Sequence, residues 1–347
     1  MRLSFPTSYS SRVPSLRFLP AIKPARQRCR WVRMESTTRR QRRKDKDNDK
    51  NKIVVIMGVT GTGKSRLSIE IATRFPAEVI NSDKMQVYRG LDITTNKIPM
   101  HERLGVPHHL LGVVDPSDGE LSSSEYRLLG ASAISAISAR HRLPLVVGGS
   151  NSFIHALVSD RFDPGSDGLD GLNSVSAELR YDCCFLWVDV SLPVLYKYLA
   201  RRVDDMLHVG MFEELAVFYE QEGKRKSHTA RRVGIRKAIG LPEFVNYFRV
   251  FRPGDGMTST LTQLEGEVER RVLFEEAVKA IKDNTNELAK RQLEKIQRLR
   301  SGGWDLQRLD ATEAFRAVLA SDSVKSSEIW ESEVLGPSVK IVSRFLA

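Results

Sequence analysis

The sequence predicts an α/β protein, with a P-loop-type, mainly parallel sheet, helices on both faces and a helical C-terminal region. Three observations support this prediction. Apolar runs rich in Val and Ile alternate with amphipathic segments between residues 53 and 190, a glycine-rich loop follows the first run, and the pattern beyond Leu192 is mostly helical. Strands that alternate with helices form parallel sheets, because each crossover helix returns the chain to the end of the sheet at which the previous strand began.

Four apolar runs are predicted to be strands. Ile53–Met57 reads IVVIM, which is typical of a strand that is buried on both faces of a parallel sheet. The second strand begins with Glu78–Ile80, the third is Leu145–Val147 and the fourth is Cys184–Val190. In a parallel sheet the carboxyl ends of these strands face one common crevice, where ligands bind.

The helices are predicted from apolar residues that recur every three or four positions. Ser65–Phe75 carries Leu67 and Ile71 on one face, and Glu125–Arg140 precedes the third strand. The helices predicted further along the chain are Leu195–Met206, Met211–Gln221, Pro242–Arg249 and a long polar helix of about Leu264–Leu299. No element is predicted in the last forty residues.

The N-terminal segment differs in composition from the rest of the chain. Residues 1–34 contain seven Arg, one Lys and no acidic residue, together with many Ser and Pro, which is typical of an organelle transit peptide. Four prolines disfavour a continuous Arg-rich helix, so a chloroplast destination is favoured over a mitochondrion, and a disordered basic tail is the alternative. Residues 35–52 are predicted to be a charged linker, and 53–347 the P-loop domain, with its helical part at about 192–300.

The net charge of +11 lies almost entirely in the first 52 residues, so the remaining chain is close to neutral. A nucleic-acid partner is therefore not expected for the folded part. The three cysteines have neither zinc-ligand spacing nor the pattern of a disulfide framework. No apolar run is long enough to span a membrane, so we expect no membrane partner. We expect a monomer.

The sequence GVTGTGKS contains the motif G-x-x-x-x-G-K-[ST] between an apolar strand and an amphipathic helix. Its glycines let backbone N–H groups point towards a phosphate, and the helix start adds positive potential. Lys64 can reach the terminal phosphate, and Ser65 can ligate Mg²⁺. The predicted phosphate-binding residues are Gly58, Val59, Thr60, Gly61, Thr62, Gly63, Lys64 and Ser65. The motif does not determine which reaction follows.

Polar residues follow the second and third predicted strands. Asp83 ends the cluster that begins at Asn81, and it is placed to accept a proton or to orient an acceptor. A solvated turn residue or an indirect Mg²⁺ partner is the alternative. The third strand ends in VVGGSN, where Ser150 offers a hydroxyl group but no acid is present. Because Asp189 falls in or just after a later strand, the carboxylate that hydrolytic P-loop enzymes use for Mg²⁺ is poorly matched.

A second basic cluster lies in HTARRVGIRKAIG, residues 228–240. Arg232 and Arg236 are predicted to close over a diphosphate, and Arg236 lies between apolar neighbours as a half-buried ligand would. A solvated basic turn is an equal alternative for Arg231 and Lys237. The pair His108 and His109 is predicted to be a loop feature rather than a metal site, because no third ligand has matching spacing.

Several motifs taken together resemble one enzyme family. GVTGTGKSRL, EVINSDKMQVYRGLDITTNKI, GVPHHLLG, VVGGSNSFIHAL and GIRKAIGLPEF occur in the order found in isopentenyltransferases, specifically the plant adenylate isopentenyltransferases. The resemblance covers most of residues 53–250. It implies a P-loop α/β core with a helical region, and transfer of the dimethylallyl group from dimethylallyl diphosphate to N6 of ADP or ATP, with AMP used less. The product is a cytokinin precursor.

The resemblance also implies roles for individual residues. Asp83 matches the base that takes the N6 proton, and Thr60 matches the position that helps to place N6. Backbone amides, Lys64, Arg236 and the cofactor Mg²⁺ would stabilise the leaving diphosphate.

Two other hypotheses remain open. The first is a tRNA dimethylallyltransferase acting on a flipped adenine, which the near-neutral body and the absence of a Cys/His zinc module disfavour. The second is a nucleotide kinase or an NTP switch, which the missing carboxylate disfavours.

Overall fold

The computed structural model describes residues 50–163, 175–224, 233–251 and 263–347. Its centre is a six-stranded sheet in the order β3-β2-β4-β1-β5-β6, and every neighbouring pair is parallel. The strands are β1 Lys52–Gly58, β2 Ala77–Asn81, β3 His108–His109, β4 Leu143–Gly148, β5 Asp182–Asp189 and β6 Leu306–Asp310. The predicted mainly parallel α/β sheet is therefore confirmed.

Strand β1 lies in the middle of the sheet, as its uninterrupted apolar run requires. It pairs with β4 through Val54 and Leu145, and with β5 through Ile53 and Cys183. Residues Ile53–Met57 are fully buried, because helices cover both faces of a parallel sheet. The cysteines of β5, Cys183 and Cys184, are free thiols, and burial raises the pKa of the Cys184 thiol to about 12.

Ten α-helices surround or extend this sheet in the described residues. They are α1 Lys64–Ala72, α2 Ser123–Ser138, α3 Asn151–Val158, α4 Leu192–His208, α5 Met211–Lys224, α6 Leu241–Val250, α7 Gln263–Ser301, α8 Thr312–Leu319, α9 Ser323–Trp330 and α10 Gly336–Leu346. Helix α1 ends at Ala72, before the predicted end at Phe75, because Pro76 disfavours the helical conformation of the residue that precedes it.

The helices that follow β5 form a layer with its own aromatic centre. Phe212 of α5 packs against Phe244 and Phe248 of α6 and against Phe274 of α7, with ring centroids 5.4 to 5.5 Å apart. Helix α7 also contacts α4 and β1, so it extends from this aromatic cluster to a central strand of the sheet. No helix in the described ranges is both long enough and apolar enough to cross a bilayer.

Two strands and four helices were not predicted from the sequence, and one of these helices is α3, which directly follows the turn after β4. Strand β3 has only two residues, and β6 reads LQRLD with exposed polar positions, so neither has a clear apolar pattern. Strand β6 nevertheless pairs along β5, which returns the chain to the sheet after the helical segment. Helices α8, α9 and α10 lie in the last forty residues, where no element was predicted.

Candidate functional site

The phosphate loop connects β1 to α1 and is held by contacts within the loop itself. The Thr62 hydroxyl donates to the carbonyl oxygen of Val59 at 2.9 Å, and the Thr62 N–H donates to the same oxygen at 3.3 Å. The Lys64 ammonium group also donates to this oxygen, at 2.7 Å. These bonds fold the loop into a closed turn whose inner side can receive an anion.

Lys64 is half-buried at the base of this turn. Burial, opposed by the nearby Asp83 and aided by the Arg202 guanidinium, lowers the pKa of its ammonium group to about 8. An anion bound in the loop would favour the charged form and raise this pKa again. Lys64 is therefore placed to interact directly with a phosphate.

A cavity of about 570 Å³ opens beside the loop, at the carboxyl ends of β1, β2 and β4. Seven of the predicted site residues line it, namely Thr60, Gly61, Gly63, Lys64, Ser65, Asp83 and Ser150. The other three loop residues lie behind its wall: Val59 and Thr62 are buried, and Gly58 ends β1. The cavity therefore brings together the phosphate loop and Asp83, which lie on different motifs of the sequence.

Asp83 follows β2 and is oriented by the backbone of its own turn. Its Oδ1 accepts hydrogen bonds from the N–H groups of Met85 at 2.8 Å and Gln86 at 3.3 Å. No hydrogen bond to Oδ2 is seen from the described residues, so this oxygen can accept a proton from a ligand. The Ser150 hydroxyl accepts from the Lys84 N–H at 2.9 Å, which ties the turn after β4 to the turn that holds Asp83.

The ends of β2 and β4 approach each other closely because Gly148 has no side chain. A Cβ atom at Gly148 would lie 2.0 Å from the carbonyl oxygen of Ser82. This contact sets the distance between the turn that contains Asp83 and the turn that contains Ser150.

Thr60 is held by two residues that the sequence did not indicate. Its N–H donates to Oε1 of Gln292 at 2.7 Å, and its hydroxyl accepts from Arg202 at 3.3 Å. The Gln292 amide also donates to the carbonyl of Gly149 at 3.0 Å, so α7 connects the phosphate loop to the turn after β4. Gln292 and Arg202 are distant in sequence and belong to no local motif, which is why sequence reasoning missed them.

Arg202 of α4 contributes a second positive charge to the cavity wall. Burial lowers the pKa of its guanidinium, and the nearby Tyr198 and Asp83 oppose this effect. Its Nε has no hydrogen-bond partner among the described residues. A half-buried guanidinium whose Nε–H has no protein partner in the described residues is suited to bind a phosphate that enters the cavity.

Comparisons with known proteins identify the family of this chain. The model of a family described as IPP transferase matches residues 86–179 and 164–298. An adenylate isopentenyltransferase from Humulus lupulus is 62% identical over 300 residues, which is 84% of this chain and 89% of that protein. The chain belongs to the IPP transferase family. It is an enzyme of the prenyltransferase class.

Other relatives differ in their named location or acceptor. Adenylate isopentenyltransferase 1, chloroplastic, from Arabidopsis thaliana is 51% identical, over 84% of this chain and 80% of its own length. Adenylate isopentenyltransferase 7, mitochondrial, from the same plant is 45% identical, over 83% and 78%. The solved structure of a eukaryotic dimethylallyltransferase acting on tRNA has a TM-score of 0.67 at 27% identity, over 85% of this chain and 79% of that chain.

The cavity beside the phosphate loop does not include Arg236 in this conformation. Arg236 lies in a 3₁₀ turn, Gly234–Lys237, and both its Nε and its terminal nitrogen donate to Glu222 of α5. Its predicted contact with a diphosphate requires this ion pair to break and stays a prediction. Arg231 and Arg232 lie outside the described residues, so the predicted role of Arg232 stays a prediction too.

The two histidines and Asp189, which the sequence analysis considered, each contact other groups of the protein. His109 contacts Glu78 at 2.6 Å, and Nδ1 of His108 contacts the Val106 carbonyl at 2.8 Å. Asp189 ends β5 and pairs with Arg308 at 2.7 Å, and it does not line the cavity. Within the described ranges, no cluster of three or more His, Cys, Asp or Glu residues could hold a metal ion.

Proposed function

We propose that this enzyme transfers the dimethylallyl group of dimethylallyl diphosphate to N6 of ADP or ATP, and less well of AMP. The product would be an isopentenyladenine nucleotide, a precursor of cytokinins. The observation that carries the proposal is one cavity that contains a phosphate loop and the carboxylate of Asp83. Relatives with the name adenylate isopentenyltransferase, one of them 62% identical, support the choice of acceptor.

The proposed reaction needs a base and a stabilised leaving group. The allylic C–O bond breaks, its electron pair leaves with the diphosphate, and the N6 lone pair forms the new C–N bond. The N6 proton passes to the carboxylate of Asp83, whose other oxygen is held by two backbone N–H groups. Lys64 and Arg202 would balance the negative charge that grows on the diphosphate.

Thr60 is proposed to place the acceptor. Its backbone and hydroxyl are both fixed, by Gln292 and Arg202, and it lies on the same cavity wall as Lys64. A fixed group at this position can hold N6 near Asp83 and the allylic carbon at once. Such positioning contributes to catalysis because the reacting atoms need not be ordered during the reaction itself.

Magnesium is the proposed cofactor. The donor set fits this ion, since Ser65 supplies a hydroxyl oxygen at the start of α1 and lines the cavity, while phosphate oxygens of the substrate would supply further ligands. When bound, Mg²⁺ would neutralise charge on the diphosphate.

A tRNA acceptor is the second candidate, because the likeness to a dimethylallyltransferase acting on tRNA extends over 85% of this chain. The near-neutral charge beyond residue 52 favours a free nucleotide, since tRNA-binding surfaces depend on clustered Lys and Arg. We also infer that residues 1–34 direct the protein to the chloroplast, with the mitochondrion as the alternative, because relatives of both kinds exist.

The test incubates the purified chain with Mg²⁺, dimethylallyl diphosphate and one of AMP, ADP, ATP or unmodified tRNA. We expect prenylated ADP and ATP, identified by mass spectrometry. Modification of tRNA alone would refute the proposed acceptor, and transfer of a γ-phosphate would indicate a kinase.

The role of Asp83 is tested by Asp83→Asn, which keeps the size of the side chain but removes the base. We expect kcat to fall by about 10²–10⁴-fold, the usual contribution of a general base. The affinity for diphosphate should be retained, because Asp83 does not belong to the phosphate loop. Near-full turnover by this variant would show that another group takes the proton.

A further inference from the structure

The C-terminal segment reaches the phosphate loop through one aromatic residue, Trp330. This residue ends α9, and Glu331–Leu335 forms a π-helical turn before α10 begins. The Trp330 side chain is 2% exposed and packs against Gly63 of the phosphate loop. A Cβ atom added at Gly63 would lie 2.6 Å from Cη2 of the indole ring, so the ring lies directly against the loop backbone.

Two side chains of α1 hold the indole in this place. Its Nε1–H donates to Oε2 of Glu70 at 2.6 Å, and the Arg66 guanidinium lies 4.6 Å from the ring centre. Arg66 and Glu70 are also bonded to each other at 2.9 Å, one helical turn apart. Trp330 is thus fixed by a hydrogen bond, a cation–π contact and burial at the start of the helix that carries Lys64 and Ser65.

Gly63 is the residue whose position matters for anion binding. It has a φ of 87°, a left-handed conformation that suits glycine, and it directly precedes the first residue of α1. Backbone N–H groups at a helix start must point together for an anion to bind them. A rigid ring against Gly63 reduces the number of conformations available to the loop before the ligand arrives, and such preorganisation increases affinity.

We propose that Trp330 is a positioning residue of the phosphate loop: it packs against Gly63, holds the loop amides ready for diphosphate, and makes donor affinity dependent on the C-terminal segment. The π-helical turn that follows supports this, because π turns occur preferentially at functional sites. The inference rests on the proposed function only in taking a prenyl diphosphate as the anion that binds.

The first experiment measures binding of inorganic diphosphate with Mg²⁺ to the full chain by calorimetry. Trp330→Phe is compared with Trp304→Phe, a matched control. Trp304 is also buried, at 4% exposure, and its Nε1–H also donates a hydrogen bond, to Ser176 at 3.1 Å. We expect the dissociation constant to rise about tenfold in Trp330→Phe, which corresponds to about 1.4 kcal/mol. It should change less than about twofold in Trp304→Phe.

Steady-state kinetics distinguish a selective effect on the phosphate loop from a general loss of stability. In Trp330→Phe we expect the KM for dimethylallyl diphosphate to rise about tenfold, in line with the change in binding. The KM for ADP should stay within about twofold, because Trp330 packs against Gly63, whereas Thr60, which is proposed to place the acceptor, is held by Gln292 and Arg202. Both tryptophan variants are expected to lower the melting temperature, so stability alone cannot produce this pattern.

Fluorescence supplies a further readout. Diphosphate binding should change the emission of Trp330, and this response should persist in Trp304→Phe and Trp187→Phe but be absent in Trp330→Phe. If Trp330→Phe does not fold, Glu70→Gln tests the same contact, because it weakens the acceptor for the indole N–H. We expect about threefold weaker diphosphate binding in Glu70→Gln.

The outcomes distinguish this inference from the proposed function. Unchanged diphosphate affinity in Trp330→Phe, or equal losses in Trp330→Phe and Trp304→Phe, would overturn the role of Trp330. A wild-type chain that binds diphosphate but prenylates no nucleotide would overturn the proposed function and leave the role of Trp330 intact. A wild-type chain that binds no diphosphate would overturn both.

Discussion

At the scale of single residues, the site contains two positive charges that are half-buried before any ligand binds. Lys64 and Arg202 both lie at the cavity, and burial lowers the pKa of each. Keeping two cations together without an anion costs free energy in the folded state. A bound diphosphate would offset this cost, so we expect the site to be more stable when it is filled than when it is empty.

The pKa of Lys64 leads to a prediction about pH. In the free protein this pKa is about 8, and a bound diphosphate raises it, so binding near pH 8 should be accompanied by proton uptake at Lys64. The affinity should accordingly fall as the pH rises through about 8. Calorimetry in two buffers with different ionisation enthalpies measures the uptake.

The variant Lys64→Met is the control for this prediction, because the ligand also exchanges protons of its own. The difference in proton uptake between the wild type and Lys64→Met belongs to Lys64. Equal uptake in the two proteins would contradict the prediction. The variant should also bind diphosphate at least about tenfold more weakly, since it lacks a charge-assisted hydrogen bond.

At the scale of elements, the long helix α7 connects loops that leave different strands. Gln292 bonds to Thr60 after β1 and to Gly149 after β4, and its carbonyl accepts from Asn151 at the start of α3 at 3.0 Å. One polar residue of α7 therefore faces the site and holds its loops together. Its apolar stripe, by contrast, packs against α4 and α6 as an amphipathic helix should.

Replacement of Gln292 by Leu should uncouple these loops. The change leaves the Thr60 N–H and the Gly149 carbonyl without partners at a buried position, so the free energy of unfolding should fall by about 2 kcal/mol. We expect kcat/KM to fall about tenfold as Thr60 loses its fixed position. Denaturant unfolding and prenyl transfer assays measure the two effects.

Gln297→Leu provides the matched control, because Gln297 lies on the same helix but is exposed. It should alter neither quantity by more than about 0.5 kcal/mol, as is usual for exposed sites. Similar losses in both variants would mean that the effect comes from the helix as a whole and not from the bonds of Gln292.

At the scale of the whole molecule, charge and chemistry lie in separate parts of the chain. The excess of positive charge lies in the first 52 residues, whereas the cavity is built from residues 60–292 of a nearly neutral body. This distribution is consistent with an N-terminal segment that directs import and takes no part in catalysis. It also agrees with an acceptor that is a small nucleotide.

Deletion of residues 1–34 should therefore separate import from catalysis. The shortened chain should keep kcat and the KM for ADP within about twofold, because no residue of the deleted segment belongs to the proposed site. It should no longer enter isolated chloroplasts, whereas the full chain should. Entry of the full chain into mitochondria alone would show that the alternative location is correct.

Local sequence was sufficient to predict those parts of the fold and of the site that lie within one short stretch of the chain. The apolar run of β1, the glycine loop and the polar cluster around Asp83 each occupy consecutive residues next to a strand end, so the parallel sheet and the shared crevice followed from them. Strands β3 and β6 were missed because they are short and partly exposed, and their pairing depends on neighbours already in the sheet.

Only the tertiary structure decided which distant residues complete the site. Arg202 and Gln292 reach Thr60 across 142 and 232 positions of the chain, and Trp330 reaches Glu70 across 260. The predicted Arg236 instead pairs with Glu222, a partner that no local pattern indicates. Motifs identify groups that are adjacent in sequence, whereas the packing of helices on the sheet determines which remote side chains those groups contact. The sequence thus predicted a phosphate site with a nearby carboxylate, and only the fold showed which remote residues contact the phosphate loop.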